Sequence, residues 1–278
     1  MTPFREFAPA KVNLTLHVTG QRDDGYHLLD SLVVFLDLGD WLQMTPDVGA
    51  PLTITGPMAQ GVPNGPENLI SRAAALQGNG AGFAIELEKN LPHAAGLGGG
   101  SADAAAALRT LAYLTNTPVI ATAEVLRLGA DVPVCLRGKP TRMSGIGDVL
   151  ADVPSLPQMW CVLVNPGIEV PTGSVFNGLT SRTNAAMQPL DWQGFNGFID
   201  WLSRQRNDLE PPALALAPVI ATTLNALRAT PECALARMSG SGATCFGIFA
   251  DNDHARRAAA SLQTAHSDWW VAAARVLI

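Results

Sequence analysis

The chain has 278 residues, 47% of them hydrophobic and 15% charged, and a formal net charge of −6. That length supports two domains, or one large one, with a real core. The acidic balance argues against broad binding to nucleic acid or to an anionic membrane, but not against a small anionic ligand held by a few N–H groups and one lysine. The N-terminal MTPFREFAPA carries Arg5 and Glu6 where a secretory leader would be apolar, and no apolar run is long enough to cross a bilayer, so a cytoplasmic protein is expected. Cys135, Cys161, Cys233 and Cys245 match no zinc or redox spacing. Cys135, Cys161 and Cys245 lie in apolar runs and read as buried free thiols.

Residues 11–18 alternate strictly. Val12, Leu14, Leu16 and Val18 form one face, and Lys11, Asn13, Thr15 and His17 the other. The pattern predicts a half-buried strand with Lys11 and Asn13 about 7 Å apart on its polar face. Asp24-Gly25 supplies a turn, and strands are expected at about 28–38, 41–44 and 52–55. A helix is expected over 67–76, and a strand over 82–89, with Phe83, Ile85 and Leu87 on one face. Further helices are predicted at 101–114 and 122–128. Pro154 and Pro157 precede a strand at 159–164, and the domain boundary is placed there, giving domains of 1–155 and 156–278. The second half reads as helices at about 195–205, 211–217 and 218–229 and a strand after Cys233. It closes with a strand at 245–249, a helix at 253–265 and a strand at 269–276. His17, His254 and His266 carry no motif and read as surface residues.

The stretch LPHAAGLGGGSADAAAAL joins a strand to an alanine-rich helix through four glycines. A strand, a glycine loop and a helix start make an anion site, because the helix end offers unpaired N–H groups and a partial positive charge. A Walker A loop would need Gly-Lys-Ser/Thr, and this loop has no lysine. The dinucleotide fingerprint fails as well: counted from Gly96 the sixth position is Ser101, and from Gly98 it is Asp103. Ser101 reads as a helix cap, a phosphate or Mg²⁺ contact, or both. Asp103 reads as a first-turn carboxylate that complements the helix dipole. A second glycine loop, MSGSGA, leads into an apolar strand.

Three stretches stand in a telling order: PAKVNLTLHVTGQRDDGYHLL, the glycine loop, and RMSGSGATCFGIF. With GADVPV between the last two, they resemble the GHMP kinases over nearly the whole chain. The match is closest to members that act on a cytidine diphosphate-linked methylerythritol. The resemblance implies an α+β, two-domain GHMP-kinase fold. Its N-terminal domain is like domain 2 of ribosomal protein S5, its C-terminal domain is ferredoxin-like, and the active site lies in the cleft between them. It also implies ATP as co-substrate, Mg²⁺, and phosphorylation of a 2-hydroxyl in the non-mevalonate isoprenoid route.

Residue by residue, the resemblance makes Asp131 the catalytic carboxylate, which accepts or orients the attacking hydroxyl proton, and Lys11 its partner. A lysine on the polar face of an otherwise apolar strand is costly unless paired or used, which argues independently for Lys11. Paired with Asp131 it would lower the pKa of the substrate hydroxyl. Pro92, His93, Ala94, Ala95, Gly96, Leu97, Gly98, Gly99, Gly100, Ser101 and Ala102 would hold the ATP phosphates, with His93 acting through its backbone. Asn68 would lie on the adenine side, and Ser101 is the candidate Mg²⁺ ligand. Tyr26 would stack on the cytosine, His27 would bond its edge, and Phe176 would stand opposite Tyr26. Asn13, Thr172, Gly240 and Ser241 complete the expected substrate contacts. A monomer or weak dimer is expected, with a small-molecule substrate and no nucleic-acid or membrane partner. The rival readings are a GHMP kinase for mevalonate, homoserine or a sugar, whose substrates offer no base to stack, and a non-catalytic nucleotide-binding regulator.

Overall fold

A computed structural model describes residues 3–47, 52–78 and 80–278. The chain forms two compact units, neither a continuous stretch. The first takes residues up to Lys11, Leu38–His93 and Gly98–Gly138; the second takes Val12–Asp37, Ala94–Leu97 and Lys139–Ile278.

The first unit begins with β1 (Phe4–Asn13), whose last residues belong to the second. β2 (His17–Gln21) lies in the second unit. β3 (His27–Pro46) is one strand of 20 residues where two were expected. The reason is Gly39: a Cβ there would lie 2.2 Å from the carbonyl oxygen of Ala8. This glycine serves close backbone approach, not a turn. β3 pairs antiparallel with β5 (Phe83–Glu88), and β4 (Thr53–Thr55) pairs parallel with β5.

Helices α1 (Leu69–Gln77), α2 (Gly99–Thr115), α3 (Thr122–Val125) and α4 (Val132–Arg137) complete the first unit. α2 packs against α1 and α4. Ala104, Ala105, Ala106 and Ala107 are all fully buried, so the small side chains let neighbours approach this helix closely on several sides. α4 was not foreseen, because Pro133 obscures so short a helix, although proline suits a first turn.

In the second unit, β3 pairs with β2 and with β6 (Thr141–Gly145), and β6 forms an unforeseen hairpin with β7 (Val149–Ala151). The order continues β11 (Trp270–Leu277), β8 (Trp160–Asn165), β10 (Cys245–Phe249), β9 (Leu235–Met238), all antiparallel neighbours. Five helices accompany them: α5 (Thr172–Asn177), α6 (Gly194–Ser203), α7 (Glu210–Leu216), α8 (Val219–Arg228) and α9 (Asn252–Ala265). Their core gathers Val162, Val164, Ile220, Leu224, Phe249 and Leu262.

The alternating stretch at 11–18 departs from its expectation in two ways. It is not one strand, because Leu16 turns aside to bond Arg206 and Asp208: Leu16 N donates to Arg206 O at 2.9 Å, and Asp208 N to Leu16 O at 2.8 Å. Nor is it half-buried, since Lys11, Asn13, Thr15 and His17 are all buried. The alternation is real, but its polar face is covered and each polar group finds a partner, as burial requires. His17, expected at the surface, directs Nδ1 to the carbonyl of Ala185 at 3.2 Å and accepts Arg206 N at Nε2. Among the described residues no helix is long and apolar enough to cross a membrane. Cys135, Cys161 and Cys245 are free and buried, as their apolar context predicted.

Candidate active site

β5 delivers the chain to the glycine loop, and α2 starts two residues earlier than expected, at Gly99. Its cap is Gly98, at φ 62° and ψ 19° in the left-handed region, with no side-chain capping bond. Ser101 is therefore not the cap: glycine reaches that backbone conformation at little cost and displaces the cap position upstream. The Ser101 hydroxyl makes no hydrogen bond among the described residues and stays available. The first bond of the helix runs from Ala102 N to Gly98 O at 2.8 Å. The N–H groups of Gly99, Gly100 and Ser101 thus precede it and point out of the positive end of the helix.

Asp103 does not serve the first turn. It is buried one turn further in, with Oδ2 2.8 Å from Lys89 Nζ. Burial pushes its carboxyl up to about 7, with Lys89 pulling the other way. Asn68 caps α1: its side chain accepts from Ile70 N at 2.8 Å and donates to Pro63 O at 2.6 Å.

Lys11 and Asp131 meet. Lys11 Nζ lies 2.9 Å from Asp131 Oδ2, with the lysine side chain 3% and the carboxylate 34% exposed. Asp131 occupies the cap position of α4 but makes no side-chain capping bond, so its carboxylate is committed to the lysine. Sequence reading missed what holds the two elements. Arg109 donates to Glu6 Oε1 at 2.7 Å and Phe7 O at 3.3 Å on β1, and to Cys135 O at 3.1 Å on α4. One guanidinium clamps both the strand that carries Lys11 and the helix that follows Asp131. Its partners are remote in sequence, so no local pattern announces it.

The remaining expected residues lie in the second unit. Asn13 donates through Nδ2 to Ser31 Oγ at 2.8 Å, and its backbone N–H donates to Ser239 Oγ at 3.2 Å. Ser239 Oγ donates in turn to Gly96 O at 2.9 Å, and Thr244 N to Ala95 O at 3.2 Å. The two glycine loops therefore touch through 95–96 and 239–244. Asn207, another residue without a sequence signal, donates to Met238 O and Gly240 O, each at 2.9 Å. Thr172 and Ser241 share a hydroxyl–hydroxyl bond of 2.9 Å.

Tyr26 is 60% exposed, a large aromatic ring left to solvent. Phe176, expected opposite Tyr26, stacks instead on His27, with centroids 4.7 Å apart and planes at 26°. His27 Nε2 is buried without a hydrogen-bond partner among the described residues. Burial, with the charge of Arg182 second, lowers the His27 pKa and keeps the ring neutral near pH 7. An unpartnered buried ring nitrogen beside an exposed aromatic face is chemically suited to a planar heterocycle with polar edges.

Among the described residues no cluster of three or more His, Cys, Asp or Glu could hold a metal.

Comparison with known proteins decides the family. Residues 68–153 match the GHMP kinases N terminal domain, and 185–268 the GHMP kinases C terminal domain. A 4-diphosphocytidyl-2-C-methyl-D-erythritol kinase of Dinoroseobacter shibae is 59% identical over 97% of this chain and 94% of its own. The chain belongs to the 4-diphosphocytidyl-2-C-methyl-D-erythritol kinase family of GHMP kinases. A crystal structure of a 4-(cytidine 5'-diphospho)-2C-methyl-D-erythritol kinase superposes with a TM-score of 0.80 at 36% identity, covering 98% of this chain and 99% of that one. A homoserine kinase from Cytophaga hutchinsonii, at TM-score 0.67 and 17% identity over 99% and 95% of the two chains, shares the fold alone. Family membership makes this chain an α+β small-molecule kinase that uses ATP as co-substrate, and it favours this kinase over the homoserine, mevalonate, sugar and regulatory alternatives.

Proposed function

We propose that this chain transfers the γ-phosphoryl group of ATP to the 2-hydroxyl of 4-diphosphocytidyl-2-C-methyl-D-erythritol, giving ADP and the 2-phosphate in the non-mevalonate route to isoprenoid precursors. The observation that carries the reading is the ion pair of buried Lys11 with the partly exposed Asp131, 2.9 Å apart. In family terms, residues 1–155 form the N-terminal kinase domain, with ATP loop and catalytic pair, and 156–278 the C-terminal one. The protein works in the cytoplasm on a small molecule, as a monomer or weak dimer, with no nucleic-acid or membrane partner.

The substrate oxygen attacks the γ-phosphorus. An O–P bond forms while the bond to the bridging oxygen breaks, and ADP leaves with that electron pair. Asp131 accepts the hydroxyl proton, and Lys11 holds the carboxylate in place and stabilises negative charge growing on the attacking oxygen. Backbone N–H groups of the loop from Pro92 to Ala102 hold the phosphates and replace the lysine that a Walker loop would use. Mg²⁺, when bound, would neutralise phosphate charge, with the Ser101 hydroxyl as its protein ligand. Asn68 fixes the chain turn on the adenine side through its cap bond to Ile70 N and its bond to Pro63 O.

At the other end of the substrate, Tyr26 stacks on the cytosine, and His27 uses its unpartnered Nε2 on the base edge, with Phe176 behind it. Thr172 joins Phe176 in the second wall of the nucleobase pocket, and Asn13, Gly240 and Ser241 make further contacts to the substrate.

ADP release from Mg·ATP with a panel of acceptors tests this: the diphosphocytidyl methylerythritol, mevalonate, homoserine and galactose, with wild type beside Asp131→Ala. Turnover confined to the cytidyl substrate and lost in the variant is the expected result. Turnover on another acceptor would reverse the substrate assignment. A folded protein that binds ATP and phosphorylates nothing would make it a regulator.

A further inference from the structure

One buried ion cluster plays no part in the chemistry just described. Lys89, 2% exposed at its side chain, directs Nζ to Asp40 Oδ2 at 2.5 Å and to Asp103 Oδ2 at 2.8 Å. Asp40 lies on β3, Lys89 directly follows β5, and Asp103 lies on α2, all in the first unit. Three ionisable groups out of water are costly unless well bonded. Lys89 bonds both carboxylates, while Asp103 is held through Oδ2 alone, its Oδ1 buried without a hydrogen-bond partner among the described residues. Asp40 uses its other oxygen as well: Oδ1 accepts the backbone N–H of Asn90 at 2.6 Å and of Leu91 at 2.9 Å.

The placement is specific. Asp40 grips the chain where it leaves β5 for the glycine loop. Asp103 grips it one turn after the loop becomes α2. Lys89 joins the two grips, and its ammonium lies close beneath the helix start. A Cβ on Gly99 would stand 3.0 Å from Lys89 Nζ and 3.6 Å from Asp40 Oδ2. A loop built of glycine and alanine has almost no side chains with which to hold its own shape. Its geometry must be imposed at its ends, and a single cation with three donors ties both.

We propose that Asp40, Lys89 and Asp103 are positioning residues for the nucleotide: they fix the two ends of the loop so that the N–H groups of Gly99, Gly100 and Ser101 stand ready for the phosphates. The proposal rests on the phosphate-binding role given to this loop above. Pre-aligned donors gain affinity because they are not ordered at the moment of binding. A purely structural cluster would lower the melting temperature and leave the ATP affinity of the folded molecules unchanged.

The test is calorimetric binding of a non-hydrolysable Mg·ATP analogue to the full-length chain, with KM for ATP and for the cytidyl acceptor measured in parallel. Lys89→Met removes the link, and the Kd for the analogue and KM for ATP are expected to rise about tenfold or more, with the acceptor KM within about twofold of wild type. Asp103→Asn keeps an oxygen for Lys89 and is expected to stay within about threefold of wild type, while Asp103→Leu follows Lys89→Met. Asp103→Leu and Asp103→Asn carry the test if Lys89→Met fails to fold. A folded Lys89→Met or Asp103→Leu protein with unchanged nucleotide affinity would overturn the proposal, and so would an equal rise in both KM values. If wild type itself fails to bind the analogue, the phosphate-binding reading of the loop falls first; if wild type and the variants bind alike, only the triad's role falls.

Discussion

Gly98 lies against the side chain of Lys11: a Cβ at position 98 would stand 2.8 Å from Lys11 Cε and 3.1 Å from its Cβ. Gly98 also holds φ +62° as the cap of α2. One position therefore carries two demands, a left-handed backbone and empty space for the stem of the lysine that reaches Asp131. Gly98→Ala should cost about 1–2 kcal/mol through backbone strain and displace Lys11, lowering kcat by about tenfold or more. Gly61 is the control, with φ +80° and nothing within 4 Å of an added Cβ. Gly61→Ala should cost about 1 kcal/mol and leave kcat unchanged. Denaturant titration and steady-state kinetics on both variants check the contrast.

Asp131→Asn keeps the shape of the carboxylate and removes its ability to take a proton. A drop in kcat of about 10³ or more is expected, with KM for ATP little changed. Lys11→Met should lose a similar factor, since in the proposed reaction it strips the charge that stabilises the attacking oxygen. Single-turnover phosphorylation measures both. A kcat for Asp131→Asn within about tenfold of wild type would limit the aspartate to orienting the hydroxyl.

Tyr26→Ala should raise KM for the cytidyl substrate by about 10- to 100-fold, as the loss of one base–aromatic stack of about 1–3 kcal/mol predicts, with KM for ATP unaffected. His27→Ala should act on the same constant. A change in the ATP constant of equal size would place these residues outside the base site.

Burial lowers the pKa of His17, with Arg206 adding to the effect while the Ala185 carbonyl, Asp208 and Asp30 oppose it. The ring is held neutral, with Nδ1 donating to Ala185 O and Nε2 accepting from Arg206 N. As pH falls through about 6.5 the unfolded chain takes up the proton first, so folding stability is lost on the acid side. His17→Gln removes that group, and its melting temperature should fall less than that of wild type between pH 7 and pH 5. Parallel slopes for the two proteins would refute the assignment.

The thiols differ in access. Burial pushes Cys161 up to about 12 and Cys135 and Cys245 higher still, while Cys233 is only partly buried. Iodoacetamide at pH 8 should therefore modify Cys233 first, and the others only after denaturation. Peptide mapping by mass spectrometry reads the order.

Much of the site could be read from local pattern because local pattern is what builds it. A glycine loop needs its glycines in sequence, and a helix start needs a strand before it and helix formers after it. The alternation at 11–18 identified Lys11 as an expensive residue before any partner was known. Its error was to assign the polar face to solvent. Alternation reports which side chains share a face, and only packing says whether that face is covered. Ser101 was misplaced for a related reason: serine favours caps in general, but a left-handed glycine three residues upstream took the position.

The sequence by itself determined most of the elements, the glycine loop between β5 and α2, the free thiols and the family, because these depend on residue type and short spacing. The tertiary structure decided the rest. It brought Lys11 to Asp131, set Phe176 on His27, stretched β3 through Gly39, and drew Asp40, Lys89 and Asp103 into one buried cluster. Each of these joins residues far apart along the chain, and their meeting depends on how whole strands and helices pack, a condition that no local window of sequence contains.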